Sequence, residues 1–225
     1  MLKRSPRVLA HRGASGYELE NTLAAFRRAV TMAADGIELD VHSTHDGELV
    51  VHHDAELPGV GLISNLTVAE LQRHRLANGE PLPTLEAALA AIGNADVWVE
   101  VKALPADHDQ RLISVLRDGP SPGRYGVHSF DHRIVRRIGA ASSELRTGIL
   151  LAARLLDPVT PMQTAGATVL WQEWSMIDAD LVDRVHQGRG EVIAWTVNER
   201  AAAEQLAALG VDALCGNYPD RLHIS

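Results

Sequence analysis

Ile37–Asp54 reads IELDVHSTHDGELVVHHD, and this stretch decides the fold. Ile37, Leu39 and Val41 alternate with the acidic residues Glu38 and Asp40, which is the period of a strand with one apolar face. The following Asp-Gly dipeptide is a strong hairpin signal, so Glu48–His53 is predicted to return antiparallel on that strand. Counting outward from the turn sets His53 roughly opposite Glu38.

Strand patterns and amphipathic, alanine- and leucine-rich segments alternate along the rest of the chain, as in a parallel sheet built from βα units. The predicted parallel strands are Val8–His11, Gly36–Val41, Val97–Lys102, Tyr125–Ser129, Thr147–Leu151, Thr168–Gln172, Glu191–Val197 and Ala213–Gly216. Eight repeats predict an α/β fold, a TIM (β/α)8 barrel in a single domain over residues 1–225. The last helix is expected to be reduced to the short RLHIS tail. Predicted helix caps are Asn21 or Thr22, Thr84, Asp131, Asp178 and Asn198.

A short insertion, Ala55–Pro83, follows the hairpin after the second barrel strand. It contains a capping box, Thr67 to Glu70, which predicts a short helix over Val68–Leu76. The insertion is expected to lie over the open end or the side of the barrel, as a candidate element of substrate specificity.

Composition limits the classes of partner. The chain has 225 residues and a formal net charge of -8, from 29 acidic and 21 basic residues, without a basic run. Nucleic acid is therefore a poor partner. The single cysteine, Cys215, excludes an internal disulfide and favours a reducing compartment. The basic opening, MLKRSPR, is not followed by a secretion signal, and no segment is long enough for a membrane span. We predict a soluble, cytoplasmic protein of undetermined oligomeric state.

Polar residues at the carboxyl ends of the strands are the candidates for chemistry, because TIM barrels carry their active sites there. Glu38 and Asp40 share a strand face, as do Glu100 and Lys102, and the apolar residues between them are expected to face the helices. Carboxylates inside a barrel are costly without a cation, which favours a site for a hard divalent ion. The alternatives are a solvated outer face for the acids and a buried ion pair between Glu100 and Lys102.

Two histidines, His11 and His53, are candidates for an acid and a base. His52 alternates with His53, so only one of the two can face the barrel mouth, and the hairpin favours His53. Seven other histidines are assigned to surface or helix-lining positions: His42, His45, His74, His108, His128, His132 and His186. Asn21 and Asn198 could each be a helix cap or a site residue. Trp171 and Trp174 could pack in the core and at its rim, or form a wall of the leaving-group pocket. Trp195, at the end of the seventh strand, is a candidate substrate-binding residue.

Motifs in the same order along nearly the whole chain resemble the glycerophosphodiester phosphodiesterase family. Besides the run ending at His53-Asp54, they are AHRGASG (Ala10–Gly16), ENTLAAF (Glu20–Phe26), LPTLEAAL (Leu82–Leu89), VEVK (Val99–Lys102), HSFD (His128–Asp131), AWTVN (Ala194–Asn198) and GVDALCGNYPDRL (Gly210–Leu222). The resemblance implies a TIM-barrel enzyme that uses Ca²⁺ or Mg²⁺ to release an alcohol and glycerol 3-phosphate from a small-molecule glycerophosphodiester.

The resemblance also implies a role for each matching residue. The metal ligands would be Glu38, Asp40 and Glu100, and the catalytic histidines His11 and His53. Arg12 and Lys102 would contact the phosphate, and Glu20 would support the metal or the glycerol side.

The chain departs from the family pattern in the insertion and in the last strand. LPGVGLISNLT (Leu57–Thr67) replaces an Arg-Thr-Thr segment, and Gly216-Asn217 replaces the usual Thr-Asp. We therefore expect a small polar mouth that tolerates different leaving alcohols. The rival interpretations are a phospholipase C or D type enzyme acting on intact lipids and a catalytically idle binding barrel.

Overall fold

Strands and helices alternate through residues 5–224, the part of the chain that the computed structural model describes. Residues 1–4 of the basic opening and Ser225 of the RLHIS tail lie outside it. The strands are β1 (Arg7–His11), β2 (Gly36–Ser43), β3 (Leu49–Val51), β4 (Glu56–Leu57), β5 (Gly61–Leu62), β6 (Asp96–Ala103), β7 (Tyr125–Ser129), β8 (Arg146–Leu151), β9 (Val169–Glu173), β10 (Glu191–Trp195) and β11 (Ala213–Gly216). The α-helices are α1 (Leu23–Thr31), α2 (Val68–Leu71), α3 (Leu85–Ile92), α4 (Asp109–Asp118), α5 (His132–Ala141), α6 (Val159–Ala165), α7 (Ala179–Gln187) and α8 (Arg200–Leu209).

Eight of these strands form a closed parallel barrel. Neighbours run in the order β1, β11, β10, β9, β8, β7, β6, β2, and a further pairing of β1 with β2 closes the ring. Helices follow the barrel strands, and after β11 the chain forms only a 3-10 turn, Pro219–Arg221. The predicted TIM barrel is confirmed, and each predicted barrel strand is present with ends shifted by two residues at most. No helix within residues 5–224 is long and apolar enough to cross a bilayer.

Alternation along the strands separates the outer core from the barrel interior. Ile37, Leu39 and Val41 pack in an outer cluster with helix residues such as Phe26 and Leu89. Inward-facing side chains form a separate cluster that includes Leu9, Trp98, Trp171 and Ile193. This apolar layer fills the lower interior and leaves the carboxyl ends of the strands for polar side chains.

The hairpin after β2 is confirmed, but its register differs from the predicted one. Val41 pairs with Val51, and the N–H of Thr44 donates to the carbonyl of Glu48 (2.9 Å). The loop therefore has three residues, with Gly47 at φ +80°, the left-handed conformation that such a loop requires. Counting from the Val41–Val51 pair, His53 does not lie opposite Glu38, so that expectation was wrong by one residue.

The insertion has a small core of its own, with Leu57, Ile63, Leu71 and Leu82 packed around Val50 of the hairpin. The capping box at its helix is confirmed, with reciprocal bonds between Thr67 and Glu70. The helix is shorter than predicted and ends at Leu71.

The reason is a competing turn after that helix. Arg75 forms a bridge with Pro81, and the N–H of Leu76 donates to the carbonyl of Glu80 (2.8 Å), so the chain leaves the helical path.

Four predicted helix caps are confirmed. The capping side chains of α1, α3, α5 and α7 are Thr22, Thr84, Asp131 and Asp178, respectively. The prediction for Asn198 was wrong, since α8 is preceded by Glu199 without a side-chain cap.

Candidate active site

Glu38, Asp40 and Glu100 form a carboxylate cluster inside the barrel mouth. The pairing of β2 with β6 sets Asp40 beside Glu100, with Glu38 two residues earlier on the same face. Ligand oxygens of all three residues lie within 4.8 Å of one another. Their exposed fractions are 2%, 0% and 6%, so the outer-face alternative is excluded. Because the donors are all oxygens, the cluster fits a hard divalent cation.

Two cationic side chains hold this cluster. Lys102 Nζ lies 2.9 Å from Asp40 Oδ1 and 2.7 Å from Glu100 Oε1. The guanidinium of Arg12 contacts Asp40 Oδ2 through Nε (3.1 Å) and Glu20 Oε1 through Nη1 (2.9 Å). Three carboxylates in the cluster therefore face two fixed positive charges, which leaves a formal charge of −1 when all are ionised.

The environment separates the protonation behaviour of the three acids. Burial, reinforced by the charge of Asp40, raises the pKa of Glu38 to about 7. Burial and the neighbouring Glu38 likewise raise the pKa of Glu100 to about 7. Burial acts in the same direction on Asp40, but Lys102 and Arg12 outweigh it and lower its pKa to about 2. The cluster thus holds protons near neutral pH that an added positive charge would displace.

His11 is oriented by an asparagine from the opposite end of the chain. Its Nδ1 lies 2.7 Å from Asn217 Oδ1, so Nδ1–H donates and Nε2 remains on the side of the carboxylates, 4.0 Å from Glu38 Oε2. The Asn198 side chain accepts the backbone N–H of Asn217 (2.9 Å). Asn198 therefore supports the site through Asn217, which explains why it does not cap α8.

His53 is oriented by its neighbour in sequence. His53 Nδ1 lies 2.7 Å from Asp54 Oδ1, and its ring lines the same small pocket as His11 and Glu38. His52 instead contacts the backbone carbonyl of Asp54 (3.0 Å) and does not line that pocket.

His42 supports this segment, because its Nε2 lies 3.0 Å from the carbonyl of His53. It is buried and was wrongly assigned to the surface or to a helix-lining position, although it lies two residues after Asp40 on the same strand.

The loop after β1 brings Arg12 and Asn21 to the cluster in an unusual backbone conformation. Both residues have φ +56°, in the left-handed region, which costs about 1–2 kcal/mol for an ordinary residue. The Asn21 amide donates to Asp40 Oδ2 (2.8 Å), and Thr22, not Asn21, caps α1. Gly13 is required beside Arg12, because a Cβ there would lie 2.7 Å from the backbone of Ala25.

His128 forms part of the pocket floor and was missed by sequence reasoning. It is 1% exposed, its Nε2 lies 3.7 Å from Glu38 Oε1, and its ring stacks at 4.1 Å on Trp171. Burial lowers its pKa to about 3, so the imidazole is neutral. The assignment to a surface or helix-lining position was wrong, because alternation along β7 turns Gly126 and His128 inward. There, Trp98 leaves no room for a Cβ at Gly126.

Aromatic side chains close the pocket above the carboxylates. Trp195 and Phe130 meet edge to face, with ring centroids 5.6 Å apart, and both line the pocket. The Nε1–H of Trp195 is buried and has no hydrogen-bond partner among residues 5–224. Trp171 is buried in the interior and also lines the pocket, whereas Trp174 is 37% exposed. The volume of this pocket is only about 70 Å³.

Comparison with known proteins gives the same assignment at the level of the family. Residues 11–221 match the model of the glycerophosphoryl diester phosphodiesterase family. A glycerophosphodiester phosphodiesterase of Caldanaerobacter subterraneus subsp. tengcongensis is 32% identical, over 96% of this chain and 95% of that protein.

Two solved structures share the fold. A phosphodiesterase of Oleispira antarctica, in complex with the product sn-glycerol-3-phosphate, has a TM-score of 0.89 and 26% identity, with 96% of this chain and 95% of that chain covered. A putative glycerophosphodiester phosphodiesterase of Galdieria sulphuraria has a TM-score of 0.91 and 23% identity, with 99% of this chain and 98% of that chain covered. The chain belongs to the glycerophosphoryl diester phosphodiesterase family.

Proposed function

We propose that the chain hydrolyses small glycerophosphodiesters to glycerol 3-phosphate and an alcohol, using a divalent cation, Mg²⁺ or Ca²⁺, and two histidines. The observation that carries this proposal is that His11 and His53 line one pocket with Glu38 and Glu100. Asp40 completes the carboxylate cluster directly behind them. Family membership and the product complex of the Oleispira antarctica protein support the choice of substrate.

The cluster residues fit the cation by both ligand type and charge. Glu38, Asp40 and Glu100 would hold it, and it would supply positive charge to the phosphate oxygens and to an attacking hydroxyl. The formal charge of −1 left by the cluster, Arg12 and Lys102 becomes +1 with a divalent ion. A phosphodiester monoanion then brings the site to neutrality, which favours its binding in a buried mouth.

The two histidines divide the proton transfers between them. One imidazole takes the proton from the attacking oxygen as the bond to phosphorus forms, and the other donates a proton to the alkoxide as its bond to phosphorus breaks. Asn217 and Asp54 hold the Nδ1 atoms of His11 and His53, so Nε2 of each ring is the atom that exchanges the proton. The attacking oxygen belongs to water or to the glycerol 2-hydroxyl. In the second route the attack releases the alcohol and forms a cyclic glycerol phosphate. The two histidines then exchange roles as water opens the ring to give glycerol 3-phosphate.

Other groups of the pocket act on the phosphate and on the orientation of its neighbours. Arg12 and Lys102 are each held by two carboxylates, so their charges are fixed before substrate binds, as electrostatic stabilisation of a transition state requires. The indole of Trp195 lines the pocket and would pack against the bound substrate. Glu20 acts by holding Arg12 at the rim.

The reaction is tested by identifying the bond that is cleaved. Purified protein is incubated with glycerophosphocholine and Mg²⁺ or Ca²⁺, and the products are followed by phosphorus NMR. Glycerol 3-phosphate and choline are expected, formed about 10²-fold to 10⁴-fold more slowly by the His11→Ala variant. Formation of choline phosphate would assign the enzyme to cleavage of the other ester bond, and the absence of any product from a panel of glycerophosphodiesters would support the idle-barrel interpretation.

A further inference from the structure

A groove of about 440 Å³ lies beside the small pocket and is open to solvent. One wall is the loop after β1, at residues 19–21, and the other is the insertion, at residues 57–60 and 74–77. His53 lines both the groove and the small pocket, so the two spaces meet at a candidate catalytic side chain. This groove was not expected from the sequence, which predicted a small polar mouth.

The small pocket cannot hold a whole substrate. Pockets that enclose a whole small-molecule ligand have volumes of about 300–1,000 Å³. The pocket with the carboxylates and both histidines measures about 70 Å³, which is enough for the phosphodiester group but not for its two alcohol arms. At least one arm must therefore extend out of the pocket, and the groove is the adjoining space that starts at His53.

Apolar side chains form part of both walls of the groove and offer a surface for an apolar arm. Leu19, Leu57, Val60 and Leu76 are among its lining residues, and Leu57 belongs to the core of the insertion, which fixes the wall. Leu19 is a large apolar side chain that is 36% exposed.

Three charged side chains line the groove: Glu20, Asp54 and Arg75. Both carboxylates already have partners. Glu20 pairs with Arg12, and Asp54 pairs with the ring of His53. Neither carboxylate is therefore left to recognise a charged head group at the inner end of the groove.

We propose that this groove binds an apolar arm of the substrate, so that the enzyme prefers glycerophosphodiesters that carry one alkyl or acyl chain of moderate length. The proposal rests on the proposed function and adds the substrate class to it. Each methylene that leaves water contributes to binding, which corresponds to about a twofold to fourfold gain in kcat/KM per methylene in a half-open groove.

The test uses two series of substrates with methyl, butyl and hexyl groups. In one series the chain is the leaving alcohol of a glycerol 3-phosphate ester, and in the other it is an ether on the glycerol of a methyl ester. All are assayed with the intact protein and Mg²⁺, below the concentration at which they form micelles. We expect kcat/KM for the hexyl substrate to exceed that for the methyl substrate by more than about tenfold in one series, which also shows on which side of phosphorus the groove lies.

Substitutions in the groove show whether it causes the effect. Leu19→Ser and Leu76→Ser are expected to reduce the hexyl-to-methyl ratio below about tenfold. Leu19 is the safer variant because its side chain is partly exposed already. Leu156→Ser is the matched control, since Leu156 is 98% exposed and lies outside the groove, and it should keep the ratio of the unmodified protein.

Three outcomes would overturn the proposal or its basis. A ratio below about tenfold in both series, with the methyl esters still hydrolysed, would exclude an apolar subsite and leave the proposed function intact. A high ratio that neither groove variant lowers would place the chain elsewhere on the protein. Failure to hydrolyse the methyl esters at all would contradict the proposed function itself.

Discussion

Cation affinity is expected to increase steeply between pH 6 and pH 8. Glu38 and Glu100 each have a pKa raised to about 7, so each is mostly protonated at pH 6 and mostly ionised at pH 8. A bound cation requires the ionised forms, and protons must leave as it binds. One group with a pKa near 7 changes the apparent affinity by about tenfold over this range. Two coupled groups change it by about 10-fold to 100-fold in total.

Isothermal titration calorimetry with Ca²⁺ and Mg²⁺ at pH 6, 7 and 8 measures this dependence. Repeating each titration in buffers of different ionisation enthalpy gives the number of protons released. We expect about one to two protons per cation at pH 6 and fewer at pH 8. Glu100→Gln, which cannot lose a proton, should reduce both the affinity and the number of protons released. An affinity that is the same at pH 6 and pH 8, without proton release, would refute the account of these carboxylates.

Three sets of substitutions test the remaining roles. Asp40→Ala should abolish calorimetric binding of the cation and the activity that depends on it, while circular dichroism shows a folded barrel. His11→Ala and His53→Ala should each lower kcat by about 10²-fold to 10⁴-fold, whereas His52→Ala stays near the unmodified value; the reverse pattern for the two neighbouring histidines would move the catalytic role one residue earlier. Asn217→Leu should lower kcat by about tenfold with little change in KM, and Asn217→Asp, which keeps an acceptor for Nδ1–H, should recover most of it with a shifted pH profile.

Periodicity was sufficient to predict the barrel and its inward acids. In Ile37–Val41 the apolar residues face the helices, and this alternation alone turns Glu38 and Asp40 toward the mouth. The strand ends, the hairpin and four of the helix caps follow from equally local signals. The cytoplasmic location inferred from the single cysteine stays a prediction.

Errors arose where long-range contacts override local preference. Asparagine is a common capping residue, but the side chain of Asn198 accepts a hydrogen bond from the backbone of Asn217, 19 positions away. His128 was set aside because most histidines lie at the surface, although its strand phase placed it inside. The helix after Thr67 ends before the predicted residue because the backbone N–H of Leu76 donates to the carbonyl of Glu80 in a turn. The groove depends on the packing of the whole insertion against the loop after β1, and no local pattern encodes that.

Cation dependence of hydrolysis is the most direct test of the central claim. Protein stripped with EDTA and then freed of the chelator is assayed for glycerol 3-phosphate release from glycerophosphocholine while Mg²⁺ or Ca²⁺ is added stepwise. Without the cation we expect less than about 1% of the full rate, because the positive charge that the three carboxylates hold for the phosphate is missing. Saturation with the cation should restore the full rate. An undiminished rate in the metal-free protein would contradict the claim that the Glu38–Asp40–Glu100 cluster holds a catalytic cation.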